Sequence, residues 1–155
     1  MRVPANWRKD LIYLLRHGDA EDPNGDDAAR RLTAKGERQA RAAGRALASL
    51  GAELDTCLAS PKVRATETAR LACKALAVEP ETAIELRGGS FDALSLAAGR
   101  GNVLLVGHEP DFSDEVARLT GARVRLRKGG LAILDGSTLI ALLRPAELKA
   151  IAAAG

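Results

Sequence analysis

Residues 11–20 run Leu11-Ile-Tyr-Leu-Leu-Arg16-His17-Gly18-Asp19-Ala20. Five apolar residues stop abruptly at an arginine, a histidine and a glycine. A short, unbroken apolar run closed by a glycine predicts a strand buried on both faces, as in a parallel sheet covered by helices. The pattern recurs at residues 102–108, Asn102-Val-Leu-Leu-Val-Gly107-His108. The chain has two histidines, and each stands at the carboxyl end of a predicted strand. Open α/β sheets bind their ligands beyond those ends, so the two histidines mark one prospective site.

The rest of the chain fills in around these strands. Residues 22–31 form a polar loop with Pro23, Asn24 and Gly25 as turn residues. Thr33 caps a predicted helix that runs to Leu50 and stops at Gly51. Ala40, Ala43, Leu47 and Leu50 share one of its faces, and Arg38, Arg41 and Arg45 share another. That basic stripe is a solvated face, or one that steers an acidic partner. A second strand is expected at residues 54–59. Ser60 as N-cap and Pro61 at the first helical position then start a helix reaching residue 77.

Further on, residues 82–86 suggest a short strand, Gly88-Gly89 a break, and residues 91–98 a short helix. A helix over 110–119 closes at Gly121. Strands are expected at 124–127, 131–134 and 138–143, the last two joined through Asp135-Gly136-Ser137. The alternating basic and apolar residues from Arg123 to Lys128 suit a half-exposed edge strand. A terminal helix spans 145–154. Strands alternating with helices, followed by one hairpin, predict an α/β three-layer sandwich with a mostly parallel, mixed central sheet. A length of 155 residues fits a single domain over 1–155.

Composition narrows the function classes. Hydrophobic residues make up 46% and charged residues 28%, which suits a folded globular chain and not a disordered one. At 3% aromatic, a base-stacking nucleic-acid surface is not expected. The net charge of +3 is too small to imply nucleic acid but favours anionic ligands. Cys57 and Cys73 lack metal-ligand spacing and are expected to be reduced. The opening Met1-Arg-Val-Pro-Ala-Asn-Trp-Arg-Lys-Asp10 has no export-signal run, and no stretch approaches the ~20 apolar residues of a membrane span. A cytoplasmic protein with no membrane partner is the expectation.

Arg16 carries a permanent charge and needs an anion at its strand end. Either Asp19 or Glu21 would serve, or a bidentate clamp on phosphate. Gly18 leaves room for a ligand against the backbone. Arg64 lies one turn into the helix after Ser60-Pro61, where the helix N-terminus attracts anions. Two histidines, two arginines and that terminus suit a dianionic phosphoryl group. A neutral histidine can attack phosphorus and form a covalent intermediate. The candidate contacts to substrate are Gly18, Ser60 and Gly107, one at each strand end. Candidates for a general acid are Glu109, Glu85 and Asp92. Two other readings remain: a metallohydrolase built from His17, Asp19, His108 and Glu109, which the adjacent arginines disfavour, and a non-catalytic phosphate- or phosphoprotein-binding module.

Four stretches in order carry a family resemblance. They are Arg16-His17-Gly18-Asp19-Ala20, Leu32-Thr33-Ala-Lys-Gly36-Glu-Arg-Gln39-Ala40, Ser60-Pro-Lys-Val-Arg64-Ala-Thr66-Glu67-Thr68 and Val106-Gly107-His108-Glu109-Pro110. Together they resemble the histidine phosphatase superfamily, most of all its SixA-like phosphohistidine phosphatase branch. The likeness covers residues 11–143.

The resemblance implies a phosphoglycerate mutase-like fold, His17 as the nucleophile, and Arg16, Arg64 and His108 holding the phosphoryl oxygens. It implies no metal and no other cofactor. Glu109 falls where the acid-phosphatase branch carries an aspartate, and Glu85 in the region where the mutase-like branch supplies a glutamate. The implied partner is a protein bearing phosphohistidine, or else a small phosphate ester. Phosphohistidine needs less help from an acid, since imidazole leaves more readily than an alkoxide. Only 44 positions separate Arg64 from His108, too few for a substantial lid, and an open site suits a residue on a protein surface.

Overall fold

The structure is a computed structural model that describes residues 10–155. The reading of the extreme N-terminus as free of an export signal falls on residues 1–9, outside the described residues.

Among the described residues, six strands form one mixed sheet in the order β3-β2-β4-β1-β5-β6. They are β1 Ile12–Arg16, β2 Thr56–Ala59, β3 Pro80–Thr82, β4 Val103–Gly107, β5 Leu131–Asp135 and β6 Thr138–Leu143. Strands β3, β2, β4 and β1 run parallel, while β5 and β6 are antiparallel to their neighbours. The helices of the described residues that cover the sheet are α1 Ala34–Ser49, α2 Val63–Cys73, α3 Ala93–Ala97, α4 Asp111–Thr120 and α5 Pro145–Ala154. This is the expected α/β sandwich.

Side-chain alternation along the strands separates the two outer layers. Tyr13, Leu15, Leu104, Val106, Leu131 and Ile133 pack with Ala43 and Leu47 of α1, Ala65 and Ala69 of α2 and Leu148 of α5. Ile12, Leu14, Val103, Leu105, Ala132 and Leu134 face the opposite way, against Ala93 of α3 and Phe112 and Val116 of α4. Residues buried on both faces explain why β1 and β4 read as continuous apolar runs. Thr33 caps α1, its hydroxyl accepting from the Gly36 N–H at 3.1 Å. Gly121 closes α4 in the left-handed conformation. Leu50, expected on the apolar face of α1, is exposed just past its end.

Three expectations need correction. First, residues 124–127 form no strand, and the sheet edges are β3 and β6. Leu126 is buried and its neighbours are not, so the alternation is real. Its backbone is satisfied by side chains instead of a ladder: the Leu126 N–H donates to Glu109 at 3.3 Å, and its carbonyl accepts from Arg16 at 2.9 Å.

Second, α2 begins at Val63 with Lys62 as N-cap, so Ser60 and Pro61 precede the helix. The Ser60 hydroxyl accepts from the Lys62 N–H at 3.2 Å in a local turn. The helix ends at Cys73, and Ala77 has a positive φ. Third, the short strand lies at Pro80–Thr82, and Ile84–Leu86 is a 3-10 turn. Cys57 and Cys73 are buried and free. Among the described residues no helix is long and apolar enough to cross a membrane.

Candidate active site

The sheet order places β4 between β1 and β2, all three parallel. Arg16 pairs with Gly107, and Ala59 with Val106. The residues that follow, His17, His108 and Ser60, therefore emerge side by side at one end of the sheet. The two imidazole centroids are 5.3 Å apart. Sequence positions about ninety apart thus converge because two parallel strands share a register.

His17 is 5% exposed. Its Nδ1 lies 2.7 Å from the Gly18 carbonyl oxygen. A carbonyl only accepts, so Nδ1 carries the proton and Nε2 keeps a lone pair in the neutral ring. The Nε–H of Arg64 donates to that Nε2 at 3.3 Å. Burial is the main force pushing the His17 pKa down from 6.5 to about 4. The Gly18 carbonyl opposes the drop, and the charges of Arg64, Arg16 and Arg30 add to it. The ring is neutral at physiological pH.

His108 is pushed further, to about 3, chiefly by burial and then by His17, Arg64 and Lys62. Its Nε2 meets the Ser60 hydroxyl at 2.7 Å, and its buried Nδ1 has no partner among the described residues.

The cations are held by main-chain and carboxylate oxygens. Arg16 donates through Nη1 to the Leu126 carbonyl, while its buried Nε has no partner among the described residues. Its pKa is lowered by burial, with Glu109 pulling the other way. Arg64 is buried and donates to Asp27, through Nη1 to the carbonyl at 2.8 Å and Nη2 to the carboxylate at 3.2 Å. Lys62 and Arg30 also reach that carboxylate, at 3.3 Å and 3.2 Å. These contacts, the Arg30 hydrogen bond first among them, hold the Asp27 pKa down at about 2.

Asp27 escaped the sequence reading because it sits in an aperiodic polar loop. Thr68 did too, although it belongs to the quoted motif. Its hydroxyl donates to the Arg64 carbonyl at 2.7 Å and accepts from the Gly18 N–H at 3.1 Å. It thereby ties the His17 loop to the helix that carries Arg64. The signal was its i+4 spacing from Arg64.

The two glycines expected to contact substrate are packed closely against protein on their Cβ side. A Cβ on Gly18 would lie 2.6 Å from the Gly36 carbonyl oxygen, so what approaches Gly18 is the backbone of α1. A Cβ on Gly107 would lie 2.7 Å from the Phe112 ring, and the Gly107 carbonyl accepts from the His17 N–H at 3.0 Å. Both glycines set the position of His17 through packing.

The candidate acids are placed as follows. Glu109 accepts from the Ser113 N–H at 2.7 Å, and its other oxygen takes the Ser113 hydroxyl and the Leu126 N–H. Asp92 caps α3 and pairs with Arg118. Glu85 is exposed in the 3-10 turn. Asp19 bonds Thr33 and Lys128. Among the described residues no three His, Cys, Asp or Glu side chains converge to hold a metal ion, so the metallohydrolase set of His17, Asp19, His108 and Glu109 is not assembled. The arrangement suits an anion held at a neutral imidazole between the buried Arg64 and the half-buried Arg16.

The model of the histidine phosphatase superfamily (branch 1) matches residues 12–98. The phosphohistidine phosphatase SixA homologue of Haemophilus influenzae is 34% identical over 128 residues, spanning 72% of this chain and 78% of that protein. The mitochondrial serine/threonine-protein phosphatase Pgam5 of Drosophila ananassae is 38% identical over 73 residues, 47% of this chain and 25% of its own length. A solved SixA from Agrobacterium tumefaciens superposes with a TM-score of 0.76 at 26% identity, covering 88% of this chain and 97% of that one. The protein histidine phosphatase SixA solved with tungstate shares the fold, with a TM-score of 0.78 over 90% of this chain and 99% of that one at 24% identity. The chain belongs to the histidine phosphatase superfamily, branch 1, in its SixA-like form.

Proposed function

We propose that this phosphatase removes the phosphoryl group from phosphohistidine on a protein, through a covalent intermediate on His17, without a metal ion. The observation that carries the reading is the His17 ring: Nδ1 donates to the Gly18 carbonyl, and an unprotonated Nε2 faces the guanidinium of Arg64. The Nε2 lone pair attacks phosphorus in line as the P–N bond of the substrate breaks. Its electron pair stays with the departing imidazole, which takes a proton from solvent. Water then attacks the phosphoryl group on His17, releasing inorganic phosphate and restoring the neutral ring. Arg16, Arg64 and His108 neutralise and orient the phosphoryl oxygens. Ser60 and Thr68 position His108 and the Arg64–Gly18 pair.

Two features favour a protein substrate. Between α2 and β4 the chain forms only β3, a 3-10 turn and the five-residue α3, which leaves no lid to enclose a small molecule. The relatives from Haemophilus influenzae and Drosophila ananassae bear the names of a phosphohistidine phosphatase and a protein phosphatase. A third feature favours phosphohistidine over an ester. Both oxygens of Glu109 are engaged with Ser113 and Leu126, so we assign Glu109 to holding α4 and the Leu126 peptide beside Arg16. A phosphoramidate requires less from an acid than an alkoxide does.

The test is phosphate release from a phosphohistidine peptide in the presence of EDTA, wild type against His17→Ala. Release by wild type alone is expected. Release by both proteins overturns the nucleophile, and release from p-nitrophenyl phosphate but not from the peptide overturns the substrate.

A further inference from the structure

Two hollows adjoin on one side of the molecule. One, of about 610 Å³, begins at Arg16 and is lined by Lys35, Arg127, Lys128 and Arg144. The other, of about 700 Å³, lies between α1 and α5 and is rimmed by Arg38, Arg41, Arg45 and Lys149 over a floor that includes Ala42, Ala152 and Ala153. They share Lys35, Gln39, Pro145 and Ala146, so they form one trough that reaches the candidate active site at Arg16. Nine cations line it and one carboxylate, Asp19.

Only part of this charge is cancelled internally. Lys128 pairs with Asp19 at 3.6 Å, Arg41 with Glu37 at 3.8 Å and Arg144 with Glu147 at 2.8 Å. Lys35, Arg38, Arg45, Arg127 and Lys149 have no ion-pair partner among the described residues. The whole chain carries a net charge of only +3, so the excess is concentrated here. No aromatic residue lines the trough, and a base-stacking role for nucleic acid needs one.

We propose that this trough is the docking surface for the phosphorylated partner, and that the partner presents acidic side chains beside its phosphohistidine. The inference rests on the reading of His17 as a phosphohistidine phosphatase. Complementary charge would speed encounter and orient the partner so that its phosphoryl group arrives at Arg16 and His17. The basic stripe of α1 thereby gains a use beyond solvation.

The test uses two synthetic phosphohistidine peptides of equal length, with about ten residues on each side of the histidine, enough to span about 35 Å on each side when extended. One carries glutamates in its flanks and the other lysines. Wild type is expected to favour the acidic peptide in kcat/KM by about tenfold at low salt, with the preference fading as salt rises. The double variant R38E/R41E is expected to lose or reverse that preference while its rate on p-nitrophenyl phosphate stays at the wild-type level.

Hydrolysis of neither peptide by wild type overturns the underlying function. Hydrolysis of both at equal rates leaves that function standing and overturns the docking surface, as does a preference that survives the charge reversal. If a single-stranded oligonucleotide competes as well as an unphosphorylated acidic peptide, the trough is a nucleic-acid groove and the proposal fails.

Discussion

The neutral state of the two histidines has a thermodynamic consequence that can be measured without any substrate. An exposed histidine in the unfolded chain titrates near 6.5. In the folded chain burial lowers His17 to about 4 and His108 to about 3. As pH falls below 6.5 the unfolded chain takes up protons that the folded chain refuses. The stability these rings contribute is therefore complete above about pH 6.5 and drains away as pH falls toward their folded values. Each pH unit inside that window costs about 1.4 kcal/mol per histidine, so each ring forfeits about 2 kcal/mol between about pH 7 and about pH 5. Asp27, held near 2, titrates below this window and leaves the result unobscured.

The assay is urea unfolding at about pH 7 and about pH 5 for wild type, His17→Asn and His108→Asn. The asparagine amide at position 17 can still donate to the Gly18 carbonyl, so the substitution removes the titration with little change in packing. The acid-induced loss of stability in each variant should be smaller than in wild type by about 2 kcal/mol. Losses equal in all three proteins to within about 0.5 kcal/mol would refute the buried, neutral histidine pair on which the chemistry depends.

Three further outcomes follow from the contacts. Gly36→Ala would drive a Cβ to 2.0 Å from the Asp19 carbonyl oxygen; with backbone on both sides, it should cost about 3 kcal/mol or more by thermal unfolding and reduce turnover by displacing the His17 loop. Asp27→Asn removes the carboxylate that competes with a phosphoryl dianion for Arg64 and Lys62; inhibition by inorganic phosphate should tighten by about fivefold, and weaker inhibition would mean that Asp27 serves to position Arg64. Glu109→Gln should cost about 1–2 kcal/mol of stability and leave phosphohistidine hydrolysis within about threefold of wild type; a loss of about a hundredfold would restore Glu109 as the acid.

The sequence carried the strands and their ends clearly. β1 and β4 are buried on both faces, so they appear as continuous apolar runs, and the histidines that terminate them meet because parallel register makes them meet. Three things were hidden. Residues 124–127 alternate like a strand, yet the backbone of Leu126 is partnered by the side chains of Arg16 and Glu109, which no periodicity reveals. Asp27 reaches Arg64 from an aperiodic loop. Gly18 and Gly107 look like openings for a ligand, but the space they leave is filled by the α1 backbone and by Phe112. Glycine in a sequence marks a close approach without saying what approaches.

In the proposed reaction His17 itself becomes phosphorylated. The direct measurement is to mix enzyme with a ³²P-labelled phosphohistidine peptide, quench in alkali, where phosphohistidine survives, and map the label on the separated enzyme. Label on the peptide containing His17, absent in His17→Ala, is the predicted result. Turnover with no label on the enzyme, or with label on His108 instead, would contradict it.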